Sequence, residues 1–224
     1  MNPSLRCCVA LAALFLGLDA SAGPIALYPT GPARDSAYLR LVNVADTPLT
    51  LTPEGTGTAL VLSAAEPVSA FIAVPGGQPL KGLLSRDGQQ SALEIEVAAG
   101  DFTTVFALAA GQGIRQLAIN ETFELPNQLK ASLALFNADP SCLAPRINLA
   151  GRDLDLFQKA APGNPRRQEL NPRGELAVQL NCDGRDSGPV VQLGALQAGQ
   201  RYSLLLLPST AGPRLLAVTD SSAH

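Results

Sequence analysis

Apolar and polar positions alternate with period two along much of the chain, and this pattern predicts strands. Tyr38-Leu-Arg-Leu-Val, Leu93-Glu-Ile-Glu-Val and Leu176-Ala-Val-Gln-Leu180 each alternate, sending one set of side chains into a core and the other into water. Two runs depart from the alternation. Thr103–Leu108 and Ser203–Leu207 are apolar on both faces, as expected of a central sandwich strand, and each follows an Ala-Gly turn. Eighteen prolines and twenty glycines punctuate the chain and leave no room for long amphipathic helices. Many short strands with such turns indicate an all-β chain of β-sandwich type.

The strand pattern occurs twice. Residues 99–121 (AGDFTTVFALAAGQGIRQLAINE) and 198–220 (AGQRYSLLLLPSTAGPRLLAVTD) align at a constant offset of 99, with Ala99/Ala198, Gly100/Gly199, Leu108/Leu207, Gly113/Gly212, Arg115/Arg214, Leu117/Leu216 and Ala118/Ala217 identical. Upstream, Ala37-Tyr-Leu-Arg-Leu-Val-Asn43 echoes Ala131-Ser-Leu-Ala-Leu-Phe-Asn137 at an offset of 94. The difference between the offsets is an ordinary loop insertion. Two segments repeating in the same order predict tandem copies of one domain of roughly 95 residues. We place the first sandwich at 23–121, a linker at 122–129 and the second sandwich at 130–224.

The first 22 residues read as an export signal. Arg6 supplies the positive charge, Cys7–Leu18 a short apolar run, and Ala20-Ser21-Ala22 the small-residue cleavage pattern, so the mature chain begins at Gly23. Twelve apolar residues are too few to span a bilayer, and no later run reaches spanning length. Export changes the cysteine arithmetic. Cys7 and Cys8 leave with the signal, and the remaining Cys142 and Cys182 are expected to pair as a structural disulfide of the second domain. Removing Arg6 and Asp19 together keeps the net charge at −3, which disfavours nucleic acid as a partner.

Candidate chemistry is sparse. The one histidine is the last residue, His224, a poorly held place for a general base or a metal ligand. Ser36 follows Asp35 and Ser187 follows Asp186, yet no histidine stands ready to activate either serine, and the Asp220…His224 pair lies at the chain end. Glu94 with Glu96, and Asp153 with Asp155, read as charges on solvated strands rather than glycosidase pairs. Gly55-Thr-Gly57 and Gly111-Gln-Gly113 are turns with no helix signal after them. The expectation is no catalytic residue, no metal and no cofactor. Sugar-binding sandwiches usually stack sugar rings on aromatic faces, and this chain has no tryptophan.

Four ordered stretches carry a resemblance: Ile25-Ala-Leu-Tyr-Pro-Thr-Gly-Pro-Ala-Arg-Asp-Ser-Ala-Tyr-Leu-Arg-Leu-Val-Asn43, Leu129-Lys-Ala-Ser-Leu-Ala-Leu-Phe-Asn-Ala-Asp139, Gly151-Arg-Asp153, and Leu193-Gly-Ala-Leu-Gln-Ala-Gly-Gln-Arg-Tyr-Ser-Leu-Leu-Leu-Leu207. With both cysteines included, they resemble the periplasmic alginate O-acetylation protein F family. Nothing is carried over for residues 52–80. The resemblance implies a periplasmic adaptor, itself non-catalytic, that docks alginate acetyltransferases and the inner-membrane acetylation complex so that mannuronate residues become O-acetylated. The alternative is a module that binds alginate and presents it to those enzymes. For docking, the turn-rich loop with Tyr28, Pro29, Thr30, Arg34 and Asp35 is the candidate contact. For alginate, the candidates are Arg166, Arg167 and Arg173 in the basic segment 161–173, whose guanidinium groups match uronate carboxylates.

Overall fold

The computed structural model describes residues 35–222 apart from 56, 57, 112, 123 and 126. The expected export signal, Tyr28, Pro29, Thr30, Arg34 and His224 lie outside the described residues. Among the described residues the regular elements are all strands. The first copy contains β1 (Ser36–Asn43), β2 (Leu49–Pro53), β3 (Leu60–Leu62), β4 (Ile72–Pro75), β5 (Pro79–Arg86), β6 (Gln89–Glu96), β7 (Phe102–Ala110) and β8 (Gly113–Glu121). The second contains β9 (Ala131–Asn137), β10 (Arg146–Leu149), β11 (Asp155–Gln158), β12 (Arg166–Leu170), β13 (Arg173–Cys182), β14 (Arg185–Leu196), β15 (Arg201–Leu207) and β16 (Arg214–Thr219).

The duplication is visible strand by strand. The first copy forms sheets β4-β1-β7-β8 and β3-β2-β5-β6, and the second forms β12-β9-β15-β16 and β11-β10-β13-β14. Raising each strand number by eight converts one copy into the other. Even the exceptional pairing is shared, because β1 runs parallel to β7 and β9 runs parallel to β15. Arg40 stands beside Thr104 in the first copy, and Ala134 beside Ser203 in the second. Those partners are separated by the same offsets, 94 and 99, that the sequence shows.

Local chemistry explains the turns. β5 and β6 join through Asp87-Gly88 with φ of 50° and 75°, and β13 and β14 through Asp183-Gly184 with φ of 52° and 79°. Two successive positive φ values make the hairpin turn that matches strand twist, and Asp-Gly is a favoured pair for it. The Ala-Gly turns before β7 and β15 likewise place Gly100 and Gly199 at φ of 87° and 75°.

Apolar packing occurs in three layers. Leu39, Leu41, Leu49, Leu51, Leu84, Leu93 and Val105 fill the first sandwich. Leu133, Leu135, Ile147, Val178, Leu180, Leu204 and Leu206 fill the second. A third core lies between the sandwiches, where Val42, Phe106, Leu108 and Ile119 meet Phe136, Leu205 and Leu207, with Val218 packed against them. Sheet β4-β1-β7-β8 therefore stacks on sheet β12-β9-β15-β16, and both sandwiches belong to one compact unit. The contacts are repeat-equivalent, since Val42 matches Phe136, Phe106 matches Leu205, and Leu108 matches Leu207. This layer gives the physical reason that β7 and β15 are apolar on both faces. It also corrects the reading of Arg40: period two assigns it to water, yet it is buried, because its face of β1 is covered by the second sandwich.

Candidate functional site

The contact between the sandwiches ends in a charged cluster. β1 places Arg40 on the face toward the second sandwich, where its Nη1 donates to Asp220 Oδ1 at 2.8 Å and its Nη2 to Ser203 Oγ at 3.3 Å. Thr104 Oγ1 accepts from Arg40 Nε at 3.3 Å and from Nη2 at 3.1 Å. Asp220 Oδ1 also accepts from Ser203 Oγ at 2.7 Å. The guanidinium carbon of Arg40 lies 4.4 Å from the Phe71 ring centre and 5.4 Å from that of Phe136. Burial pushes the Arg40 pKa below its ordinary value, and Asp220 opposes that shift.

Glu121, at the end of β8, extends the cluster. Its carboxylate accepts from Arg167 Nε, from Arg167 Nη2 at 3.0 Å, and from Arg201 Nη2 at 3.0 Å. Arg167 Nη2 also lies 3.6 Å from Asp220 Oδ2. Arg40, Thr104 and Glu121 thus come from the first copy, and Arg167, Arg201, Ser203 and Asp220 from the second. The chain end adds a further tie: Phe71 N donates to Ser221 O at 2.8 Å, and Phe71 bridges Ser222 in parallel sense. Hydroxyls and guanidinium groups around two carboxylates form an ionic clamp between the two sandwiches, in which Asp220 Oδ2 is met by an ion pair with Arg167 rather than a hydrogen bond. It contains no imidazole. Among the described residues, no three or more His, Cys, Asp and Glu side chains gather as metal ligands would.

The arginines proposed for uronate contact sit on two strands of different sheets, β12 and β13. The basic segment is not a loop throughout, because Arg166–Leu170 forms the edge strand β12 against β9. Arg167 is turned into the clamp. Arg166 opens β12 and Arg173 opens β13, and both are exposed. Of the docking loop, only Asp35 is described. It is exposed, and its carbonyl accepts from Gly76 N at 2.9 Å, beside the turn after β4.

At the opposite end of the strands the copies solve one problem in two ways. Asn43 Nδ2 donates to the carbonyls of Thr47 at 2.8 Å and Leu62 at 3.2 Å. Its counterpart Asn137 donates to those of Cys142 at 2.8 Å and Ala160 at 2.9 Å. In the second copy Cys142 and Cys182 form the expected disulfide, with Cα atoms 5.6 Å apart, which fits an oxidising compartment. Cys182 precedes the Asp183-Gly184 turn, and the residue at the same place in the first copy is Arg86. Arg86 is 7% exposed, and its Nη2 donates to Asn43 Oδ1 at 2.9 Å and Ala107 O at 2.7 Å. Only the cysteines were legible in sequence as a site; the Arg86 position emerges from strand register.

No protein-family profile and no curated protein sequence matches the chain. Among solved structures, it is similar to the C-terminal domain of AlgF from P. aeruginosa, at 18% identity over 41% of this chain and 98% of that one, with a TM-score of 0.34. It is also similar to a putative cell adhesion protein from Bacteroides uniformis, at 8% identity over 83% of this chain and 98% of that one, TM-score 0.31. A third likeness is to a family 26 carbohydrate-binding module from Eubacterium rectale Amy13K, solved with maltoheptaose, at 9% identity over 84% of this chain and 98% of that one, TM-score 0.28. At these scores no residue role passes from those proteins to this chain.

Proposed function

We propose that the chain is a periplasmic, non-catalytic adaptor of alginate O-acetylation that docks the acetyltransferases and the membrane acetylation complex. The observation that carries this reading is the ordered resemblance of residues 25–43, 129–139, 151–153 and 193–207 to that family. The architecture supports it in three ways. Two sandwiches sharing an apolar layer and an ionic clamp make a stiff body that holds surface loops at fixed spacing. The buried disulfide suits an exported protein. The charged cluster of Arg40, Glu121, Arg167, Arg201 and Asp220 joins the two sandwiches. The alginate-presenting alternative draws less support, because Arg167 is already engaged by Glu121 and Asp220.

Genetics in an alginate-producing host tests the reading. Removing the chain should lower the acetyl content of the secreted polymer, and the His224→Ala chain should restore it fully. Failure of that variant to restore acetylation, with normal protein level, would return the imidazole to the chemistry and overturn a non-catalytic role.

A further inference from the structure

The Arg86 position holds a charge that its structural task does not require. In the second sandwich an uncharged disulfide occupies the same place, tied through Cys142 to the equivalent asparagine. In the first sandwich a guanidinium is there, 7% exposed, with only Nη2 hydrogen-bonded. Its Nε and Nη1 have no hydrogen-bond partner. None of the six ion pairs among the described residues includes Arg86. The neighbouring carboxylate, Asp87, receives Thr47 Oγ1 on its Oδ2 at 2.7 Å. Burial pushes the Arg86 pKa below its ordinary value, and the adjacent Asp87 carboxylate offsets that shift only in part.

A cavity of about 350 Å³ adjoins this group, walled by Arg86, Thr47, Asp87 and Gln89 together with Ala109 and Ile114. A second cavity of about 350 Å³ shares Ala45 and Ala109 with the first and reaches the junction of the sandwiches. Arg214 lines that second cavity, and its Nε is also buried without a hydrogen-bond partner. Two guanidinium groups therefore line one concave end of the molecule, each with buried donors that no protein group uses, beside walls that mix alanines with polar and acidic side chains.

We propose that this end is a docking pocket for a single acidic side chain, aspartate or glutamate, presented by a protein partner, with its carboxylate accepting from Arg86. The walls favour a protein over a polyuronate. Asp46 and Asp87 line the two cavities and repel a chain carrying a charge on every unit, whereas one side chain can pass them. No aromatic ring lines either cavity to stack on a sugar. The partner-docking reading enters only in who supplies the carboxylate.

The test uses the whole mature chain, ¹⁵N-labelled, with the arginine Nε resonances followed by NMR. N-acetyl-glutamate amide should shift the Arg86 Nε resonance saturably, and N-acetyl-glutamine amide should not. Gln89→Glu, on the cavity wall, should raise the glutamate midpoint at least fivefold while leaving the thermal transition in place. Because Arg86→Met removes a core hydrogen bond and risks the fold, the wild-type titration stands as the deciding measurement. Equal responses to the glutamate and glutamine probes would overturn the proposal. Free acetate binding as tightly as the glutamate probe would reduce the pocket to a small-acid site. A response to alginate oligosaccharides with none to the glutamate probe would assign it to polysaccharide. The first two failures leave the adaptor reading standing, because no acetylation partner takes part, whereas the alginate response would count toward the alginate-presenting alternative.

Discussion

Arg40 Nη1 donates to Asp220 Oδ1 at 2.8 Å across 180 positions of sequence, and the two side chains are 2% and 5% exposed. One contact thus links the first described strand to the end of the described chain, and the first sandwich to the second. Where it lies decides its consequence: removing either partner leaves a buried charge facing aromatic rings and hydroxyls.

Asp220→Asn should therefore destabilise the protein by about 3 kcal/mol, a fall in Tm of roughly 6 to 12 °C for a chain of this size. Replacing both charges together, Arg40→Met with Asp220→Leu, should recover most of that loss, because no ion is left uncompensated. Thermal unfolding of the three proteins measures it. A double variant as unstable as the sum of its parts would show that the pair does not act as a unit.

The shared apolar layer makes a second expectation. The two sandwiches should unfold in one transition rather than two, since neither can open without exposing Phe106, Phe136, Leu205 and Leu207. Phe136→Ala should cost about 3 kcal/mol or more, and hydrogen exchange should accelerate in both copies. Acceleration confined to β9 and its neighbours would mean that the copies are energetically separate.

How far sequence reaches is shown by particular positions. The offsets of 94 and 99 predict that the two copies pair their strands alike, because a repeat carries its hydrogen-bond pattern with it, while the pairing itself is visible only in the fold. The alternation in Leu93–Glu96 and Leu176–Leu180 reads correctly, since those strands face water on one side. Arg40 reads incorrectly, because period two identifies a second face but not what covers it. Arg167 misleads for a related reason: a Pro- and Gly-flanked basic run looks like a loop, and only the edge of sheet β12-β9-β15-β16 reveals Glu121 as its partner. The Asp87-Gly88 and Asp183-Gly184 turns carry an available signal, an Asp-Gly pair at an offset of 96, that the apolar pattern overshadows.

Those turns yield a paired prediction. A Cβ added at Gly88 or Gly184 meets no atom within 4 Å, so a substitution there is opposed by the backbone alone, at φ of 75° and 79°. Gly88→Ala and Gly184→Ala should each cost about 1 to 2 kcal/mol and do so about equally, as urea unfolding would show. A loss at one site only would mean that the hairpins are not equivalent.

The disulfide closes a sequence separation of 40 residues, and the chain-entropy account gives about 4 kcal/mol for it. Cys142→Ala with Cys182→Ala should lower the urea midpoint accordingly. In the native protein, both cysteines being buried, a mild reductant should leave the bond intact until the chain unfolds. Rapid reduction under native conditions would contradict that protection.

The most direct measurement of the central claim is a calorimetric titration of residues 23–224, run in parallel against the periplasmic acetyltransferase ectodomains and against alginate oligosaccharides. The adaptor account predicts saturable binding to an acetyltransferase ectodomain that survives raised salt, and no saturable heat with the sugar. Binding to the oligosaccharides alone, fading with ionic strength, would contradict it and make this protein a presenter of polysaccharide.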